Sequence, residues 1–440
     1  MDPQVVAAII AAAVSVLTLV GTLIAQHLGR RATSRDTEKT LKEQREHLDL
    51  TLAEQSKQLD RTLTEQRTRT LNERFATAAD QLGSDKPAAV RLAGMYAMAG
   101  LADDWEANRQ TCVDVLCAYL RMPYEPAPGK DSPVAEHLAF QADREVRHTV
   151  IRVITAHLKD GAAVSWQGLN FDFTGAVFDG GSFAHARFPG GGVSFDNAEF
   201  ASGTVSFEYA EFSGGAISFA HARFSGGTVS YYGAKVTGGE VSFNSAEVTG
   251  GTVNFYGTEV TGGTVGFRQA KFSGGEVSFS GTKFTGGTVN FRYAKVAGGA
   301  VSFEDATFAG GEVDFLRTEF SGGAVDFGRA GFSSGTVYFY NVGFSGSKVS
   351  FSGAKFSGSA VSFEYAEFSG SATDFGAEFS GGEVSFSSAA FSGGMADFSS
   401  ADFSGGTLNF STPRVWSHPP KFPWTGTPPA GVELPSLGAA

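Results

Sequence analysis

The sequence predicts a mostly β chain: a β-solenoid of about 24 residues per coil, preceded by a transmembrane helix, a coiled-coil stalk and a small α-helical domain. Three observations carry this. Glycine and phenylalanine are both abundant, at 57 and 40 of 440 residues. A twelve-residue repeat runs from Phe188 to Val415, and an uncharged segment lies near the start. The same composition excludes several classes. A disordered chain lacks aromatics, collagen needs Gly-X-Y phase, and 2 Cys cannot build a disulfide scaffold. With 34 basic against 46 acidic residues, nucleic acid is not the expected partner.

Residues 1–28 are expected to form an N-terminal transmembrane anchor. Val5 to Ala25 carries no charge, and 21 residues at 1.5 Å each span roughly 31 Å, the depth of a hydrocarbon core. Only Asp2 is charged before the run, whereas Arg30, Arg31 and Arg35 follow it. The positive-inside bias then predicts a single-pass plasma-membrane protein with its C-terminal bulk in the cytoplasm.

Residues 29–71 read as a helical stalk with an eleven-residue repeat. Leu41, Leu52 and Leu63 recur every eleven residues, as do Glu43, Glu54 and Glu65, while Leu48 and Leu59 form a second stripe. Eleven residues make three turns at 3.67 per turn, which predicts a nearly straight or slightly right-handed coiled coil. Gln44, Gln55 and Gln66 border the stripe and weaken it. A leucine stripe on a solvated helix needs something to bury it, so a homo-oligomer through the stalk is expected.

Residues 72–160 read as a compact α-helical domain, with helices over Asn72–Leu82, Pro87–Ala102, Asn108–Arg121 and Ala139–Leu158. Val113, Leu116, Cys117 and Leu120 form an apolar stripe on the third, and Val146, Val150, Val153 and Ile154 on the fourth. The proline-rich stretch Met122–Pro133 is a loop. Cys112 and Cys117, without clustered histidines, read as core thiols.

Residues 161–415 are the β-solenoid. Phe173, Phe178, Phe183 and Phe188 are spaced by five; after Phe188 the period is twelve, with one copy shortened between Phe368 and Phe379. A typical copy is FSGGAISFAHAR, Phe212–Arg223. Counting its Phe as position 0, position 5 is mostly Val, position 7 aromatic and position 10 small. The Val-x-Phe and Ala-x-Phe pairs have strand periodicity, and Gly-Gly allows positive φ at a tight corner. Position 11 decides coil size. With twelve residues per coil, many stacked neighbours among Glu199, Glu211, Arg223, Lys235, Glu247, Glu259, Lys271 and Lys283 would be like-charged. With 24, Glu199–Arg223–Glu247–Lys271 and Glu211–Lys235–Glu259–Lys283 become opposite-charge ladders, and only Lys271–Lys295 breaks the rule.

The Ala-x-Phe pairs and the five-residue phase at Phe173–Phe188 resemble the pentapeptide-repeat family, whose fold is a right-handed quadrilateral β-helix. The segments Asn72–Asp104 and Cys112–Arg121 resemble a helical module found before such repeats in membrane-anchored bacterial members. The twelve-residue spacing departs from the family by two residues per copy. The resemblance implies no catalytic residues.

Residues 416–440 form a Pro-rich C-terminal cap or tail. It is expected not to continue the ladder; Trp416, Phe422 and Trp424 are candidates to cover the open end of the core, and the remainder is expected to be loose.

No residue is a candidate catalytic, cofactor-binding or metal-binding site, and no cofactor is expected. His27, His47, His137, His148, His157, His185, His221 and His418 show no metal spacing, and His185 and His221 read as corner residues. The glycine corners lack the following Lys-Ser/Thr of a phosphate cradle. Thr252, Thr264 and Thr288 stand in the column an ice-binding ladder would use, but Glu240, Glu276 and Glu312 interrupt it. Between 160 and 415 there are 24 acidic and 13 basic side chains, a net of −11. The expected function is a non-catalytic, membrane-tethered scaffold presenting a rigid acidic surface to protein partners. The alternatives are a self-assembling structural rod and a DNA-mimicking inhibitor of a topoisomerase-like enzyme.

Overall fold

The structure is a computed structural model, and it describes residues 10–11, 13–20, 22, 34–83, 85–125 and 127–436. The chain divides into two compact units, Met1–Asn72 and Glu73–Ala440.

In the first unit, residues 10–11, 13–20 and 22 are helical. Among the described residues no helix is long and apolar enough to cross a membrane. This overturns the expected single-pass anchor and the plasma-membrane placement that followed from it. Of the expected span Val5–Ala25, residues 5–9, 12, 21 and 23–25 lie outside the described residues. Helix α1, Ser34–Gln81, runs unbroken through the leucine repeat. Leu41, Leu48, Leu52, Leu59 and Leu63 are 40%, 37%, 46%, 42% and 48% exposed.

The second unit opens with α2 (Ala88–Asp104), α3 (Arg109–Arg121) and α4 (Val134–Leu158). The fourth helix starts five residues before the expected Ala139, because Pro133 sets its entry with φ −55. Val113, Leu116, Cys117 and Leu120 are buried, as are Val146, Val150 and Ile154. Val153 is only half-buried, and Ile151 takes its place in the core. Cys112 and Cys117 are free, buried thiols, and burial raises them to about 11 and about 12.

From Phe171 the chain winds into a parallel β-solenoid. Most coils contribute four short strands, and in others adjacent strands merge into eight-residue ones such as Lys295–Ser302; they stack in four columns that join into a 17-stranded and a 19-stranded sheet. Arg223 stands between Glu199 and Glu247, Thr228 between Thr204 and Thr252, Lys235 between Glu211 and Glu259, and Glu240 between Ala216 and Thr264. Every one of these steps is 24 residues, as the charge columns required. The five-residue phase makes a shorter first step of 22, Phe171 against Val193, and the shortened copy makes one of 23, Lys355 against Glu378.

The position-7 aromatics fill the centre. Phe219, Phe243 and Phe267 stack face to face at 4.7 and 4.9 Å, and Phe255 and Phe279 form a second stack at 4.7 Å. The two stacks meet edge to face: Phe255 lies 5.6 Å from Phe243 at 87°. This herringbone is the favoured arrangement of aromatic quadrupoles and contributes about 0.5–1.5 kcal/mol per pair beyond burial. Where Val236 and Val260 stand in the position-0 column instead of Phe, they line a void of about 20 Å³. Tyr231 also lines that void, and its buried hydroxyl has no hydrogen-bond partner.

The tail departs from expectation. Val415–Trp416 and Val432–Glu433 pair as parallel strands, and Lys421 bridges Asp397, so the ladder continues between the prolines rather than stopping at them. Trp416 packs edge-on against Phe391 at 5.2 Å and Trp424 against Phe403 at 4.9 Å, while Phe422 stacks on Phe398 at 5.5 Å. The last coil's aromatics are covered.

Candidate interaction surface

Both ends of the solenoid are closed, so its sides are what it offers. At the first coil, α3 and α4 seat on the edge strands. Buried Arg147 donates to the carbonyls of Leu120 and Val177, and its guanidinium lies 4.2 Å from the Tyr124 ring centre. Asp179 accepts hydrogen bonds from the Tyr124 hydroxyl (2.8 Å), Arg144 Nε (3.0 Å) and His148 Nε2 (2.9 Å). Burial pushes the Asp179 carboxyl up, but the bonds from His148 and Tyr124 and the charges beside it outweigh that and hold it below its usual value. Thr155 donates to the Ser182 carbonyl, and Arg121 pairs with Asp172. Edge N–H and C=O groups that would template further strands are thus occupied or covered.

Along the sides, position 11 carries the predicted charge ladders. Lys271 pairs with Glu247 at 2.8 Å and Lys283 with Glu259 at 3.0 Å. The like-charged neighbours Lys271 and Lys295 turn apart, Lys295 to Glu319 at 2.8 Å. These pairs are exposed and each contributes at most about 1 kcal/mol; they fix register more than they stabilise.

Positions 8 and 9 form the corner where the chain bends from the second strand to the next. The position-9 residue is left-handed even when it is not glycine: His185 has φ 61, Tyr209 φ 56, His221 φ 59, Tyr293 φ 61 and Tyr365 φ 58. Ser, Asn or Asp at position 6 steadies this bend by accepting the position-8 N–H, as Asn254 does from Tyr256 (2.9 Å) and Asp326 from Gly328 (2.8 Å). Their side chains project outward. On one corner His185, Tyr209, Tyr232 and Tyr256 follow each other at 5.2, 5.5 and 5.7 Å between ring centres. On the other, Arg268 and Arg317 lie 6.0 and 5.9 Å from the Tyr293 ring centre, with Tyr340 and Tyr365 beyond, 5.1 Å apart. All six tyrosines are exposed.

The structure therefore sets His185 and His221 at corners, as their AHARF context suggested, and Cys112 and Cys117 in the helical core. Sequence reasoning missed the tyrosine corners, although the period assigns Tyr209, Tyr232, Tyr256, Tyr293, Tyr340 and Tyr365 to positions 8 and 9. Among the described residues no group of three or more His, Cys, Asp or Glu is placed to hold a metal ion. Comparison with known proteins adds no identity: no protein-family model, no curated protein and no solved structure matches the chain.

Proposed function

We propose that this protein is a non-catalytic scaffold whose solenoid presents rigid tyrosine-bearing corners on an acidic rod to protein partners. The observation that carries the reading is the pair of exposed corners, where Tyr and Arg, the residue types that dominate interface hot spots, are held by a backbone stacked on both sides. Their rotamers are restricted by ring stacking before any partner arrives, which lowers the ordering cost of binding. We read the coil as the right-handed quadrilateral helix of the pentapeptide-repeat type. Four strand columns per coil, with Phe at regular spacing, support that reading.

A second reading, self-association into a larger assembly, is favoured by the exposed leucine stripe of α1. Closed solenoid ends argue against end-to-end stacking, so the stripe is the surface through which copies would meet. DNA mimicry draws little support, since Lys and Glu alternate along the position-11 columns instead of repeating one sign.

The test is crosslinked affinity capture with the full chain, comparing wild type with a variant carrying Tyr293→Ser, Arg317→Ser and Tyr340→Ser, and with a second carrying Tyr209→Ser, Tyr232→Ser and Tyr256→Ser. Proteins lost with one corner and retained with the other support the scaffold. Identical protein sets from all three baits reject it.

A further inference from the structure

We propose that the leucine stripe of α1 is covered by a second copy of the same stripe, running parallel and in register. The inference rests on the self-association reading above and fixes its partner and geometry. The stripe runs Leu41, Leu48, Leu52, Leu59, Leu63, with alternating steps of seven and four, on a helix without break from Ser34 to Gln81. All five leucines are more than a third exposed, whereas Leu50, on the opposite face, is 72% exposed. The occupant must therefore present apolar side chains at the same alternating steps and stay straight with an eleven-residue repeat. The same helix in another copy meets both demands.

Direction follows from matching layers. In a parallel, in-register pair each leucine meets its own counterpart, so all five leucines of each chain enter the seam. An antiparallel pair centred on Leu50 sets Leu41 against Leu59 and Leu48 against Leu52, and leaves Leu63 of both chains without a leucine opposite. One centred between Gln55 and Ser56 sets Leu48 against Leu63 and Leu52 against Leu59, and leaves Leu41 unmatched in the same way. The flanks agree with the parallel choice. Gln44 and Gln55 lie on one side of the stripe and Asp49 and Asp60, five residues on in each case, on the other. Parallel packing brings one chain's first flank against its partner's second, so each Gln amide can donate to a carboxylate across the seam.

The experiment uses the full chain with substitutions on exposed positions of α1. Sedimentation of the wild type should give a mass at least twice that of one chain, and Leu52→Asp combined with Leu59→Asp should return it to the mass of one chain. Under mild oxidation Leu63→Cys should crosslink to itself in most molecules, while the native thiols at Cys112 and Cys117 are buried and do not compete. In either antiparallel pairing, two copies of position 63 stand at least 15 residues of helix apart, roughly 22 Å, and crosslinking fails. A wild-type chain that sediments as one copy overturns the self-association reading itself. A multiple mass without the position-63 crosslink overturns only the parallel register.

Discussion

Each solenoid repeat turns two corners, and they solve the same backbone problem in opposite ways. At the Gly-Gly corner, positions 2 and 3, a Cβ would point into the coil behind. On Gly251 it would come within 2.4 Å of the Gly227 carbonyl oxygen, and on Gly250 within 2.6 Å of the Ser225 oxygen. At the other corner, position 9 is also left-handed, yet Cβ points outward and the site holds His, Tyr, Asn, Asp, Arg, Gln or Ser. Positive φ alone does not demand glycine; the approach of a neighbouring backbone does. The solenoid therefore has one kind of corner confined to glycine and serine, with serine at Ser202, Ser334, Ser347, Ser359 and Ser371, and one that carries large side chains, and every exposed tyrosine discussed above sits on the second kind.

The sharpest way to break that comparison is Gly251→Ala. Gly251 has φ 68, and the oxygen its Cβ would strike also accepts the Thr252 N–H at 2.8 Å. The substitution adds left-handed strain of about 1 kcal/mol to the separation of two stacked coils, so a loss of about 3 kcal/mol or more is expected in chemical denaturation. A loss below about 1 kcal/mol would show that the corner tolerates a side chain on the left-handed backbone after all.

Gly257→Ala isolates the strain without the clash. Gly257 is at position 9 with φ 67, and its Cβ would meet nothing within 4 Å. The expected loss is about 0.5 kcal/mol: about 1 kcal/mol of left-handed strain, less the roughly 0.4–1 kcal/mol that alanine recovers by stiffening the unfolded chain. If Gly257→Ala and Gly251→Ala cost the same in parallel melts, the neighbouring backbone is irrelevant and the comparison fails. Asn254→Ala sharpens the same corner from its support, removing the side-chain oxygen that accepts the Tyr256 N–H. That exposed bond resembles a helix cap in energy, and a loss of about 0.5–1 kcal/mol is expected.

How legible all this was depended on whether a feature repeats. The coil length could be read because charge at position 11 repeats: Arg223 can sit beside Glu199 and Glu247 only with 24 residues per coil, and it does. The buried ladder of Phe219, Phe243 and Phe267 follows from the same period. Single events were not legible. Pairing of Val432–Glu433 with Leu408–Asn409 lies beyond six prolines that hide any pattern, and the early start of α4 depends on one proline. Of the candidate surface, the tyrosine corners were missed: a period of twelve says which residues share a corner but not which way that corner faces.

The smallest effect is the most discriminating. His221 is at position 9 with φ 59 and replaces the glycine found there in Gly233, Gly257 and Gly281. His221→Gly relieves about 1 kcal/mol of left-handed strain in the folded chain. It also frees the unfolded chain, which costs roughly 0.4–1 kcal/mol in lost entropy on folding. The two terms nearly cancel, so the denaturation midpoint should move by no more than about 0.5 kcal/mol equivalent in either direction. A clear gain would mean that the corner residues are held under strain for the sake of their outward side chains. A clear loss would mean that His221 itself contributes contacts, and that the decorated corner is less free of structural duty than its open geometry implies.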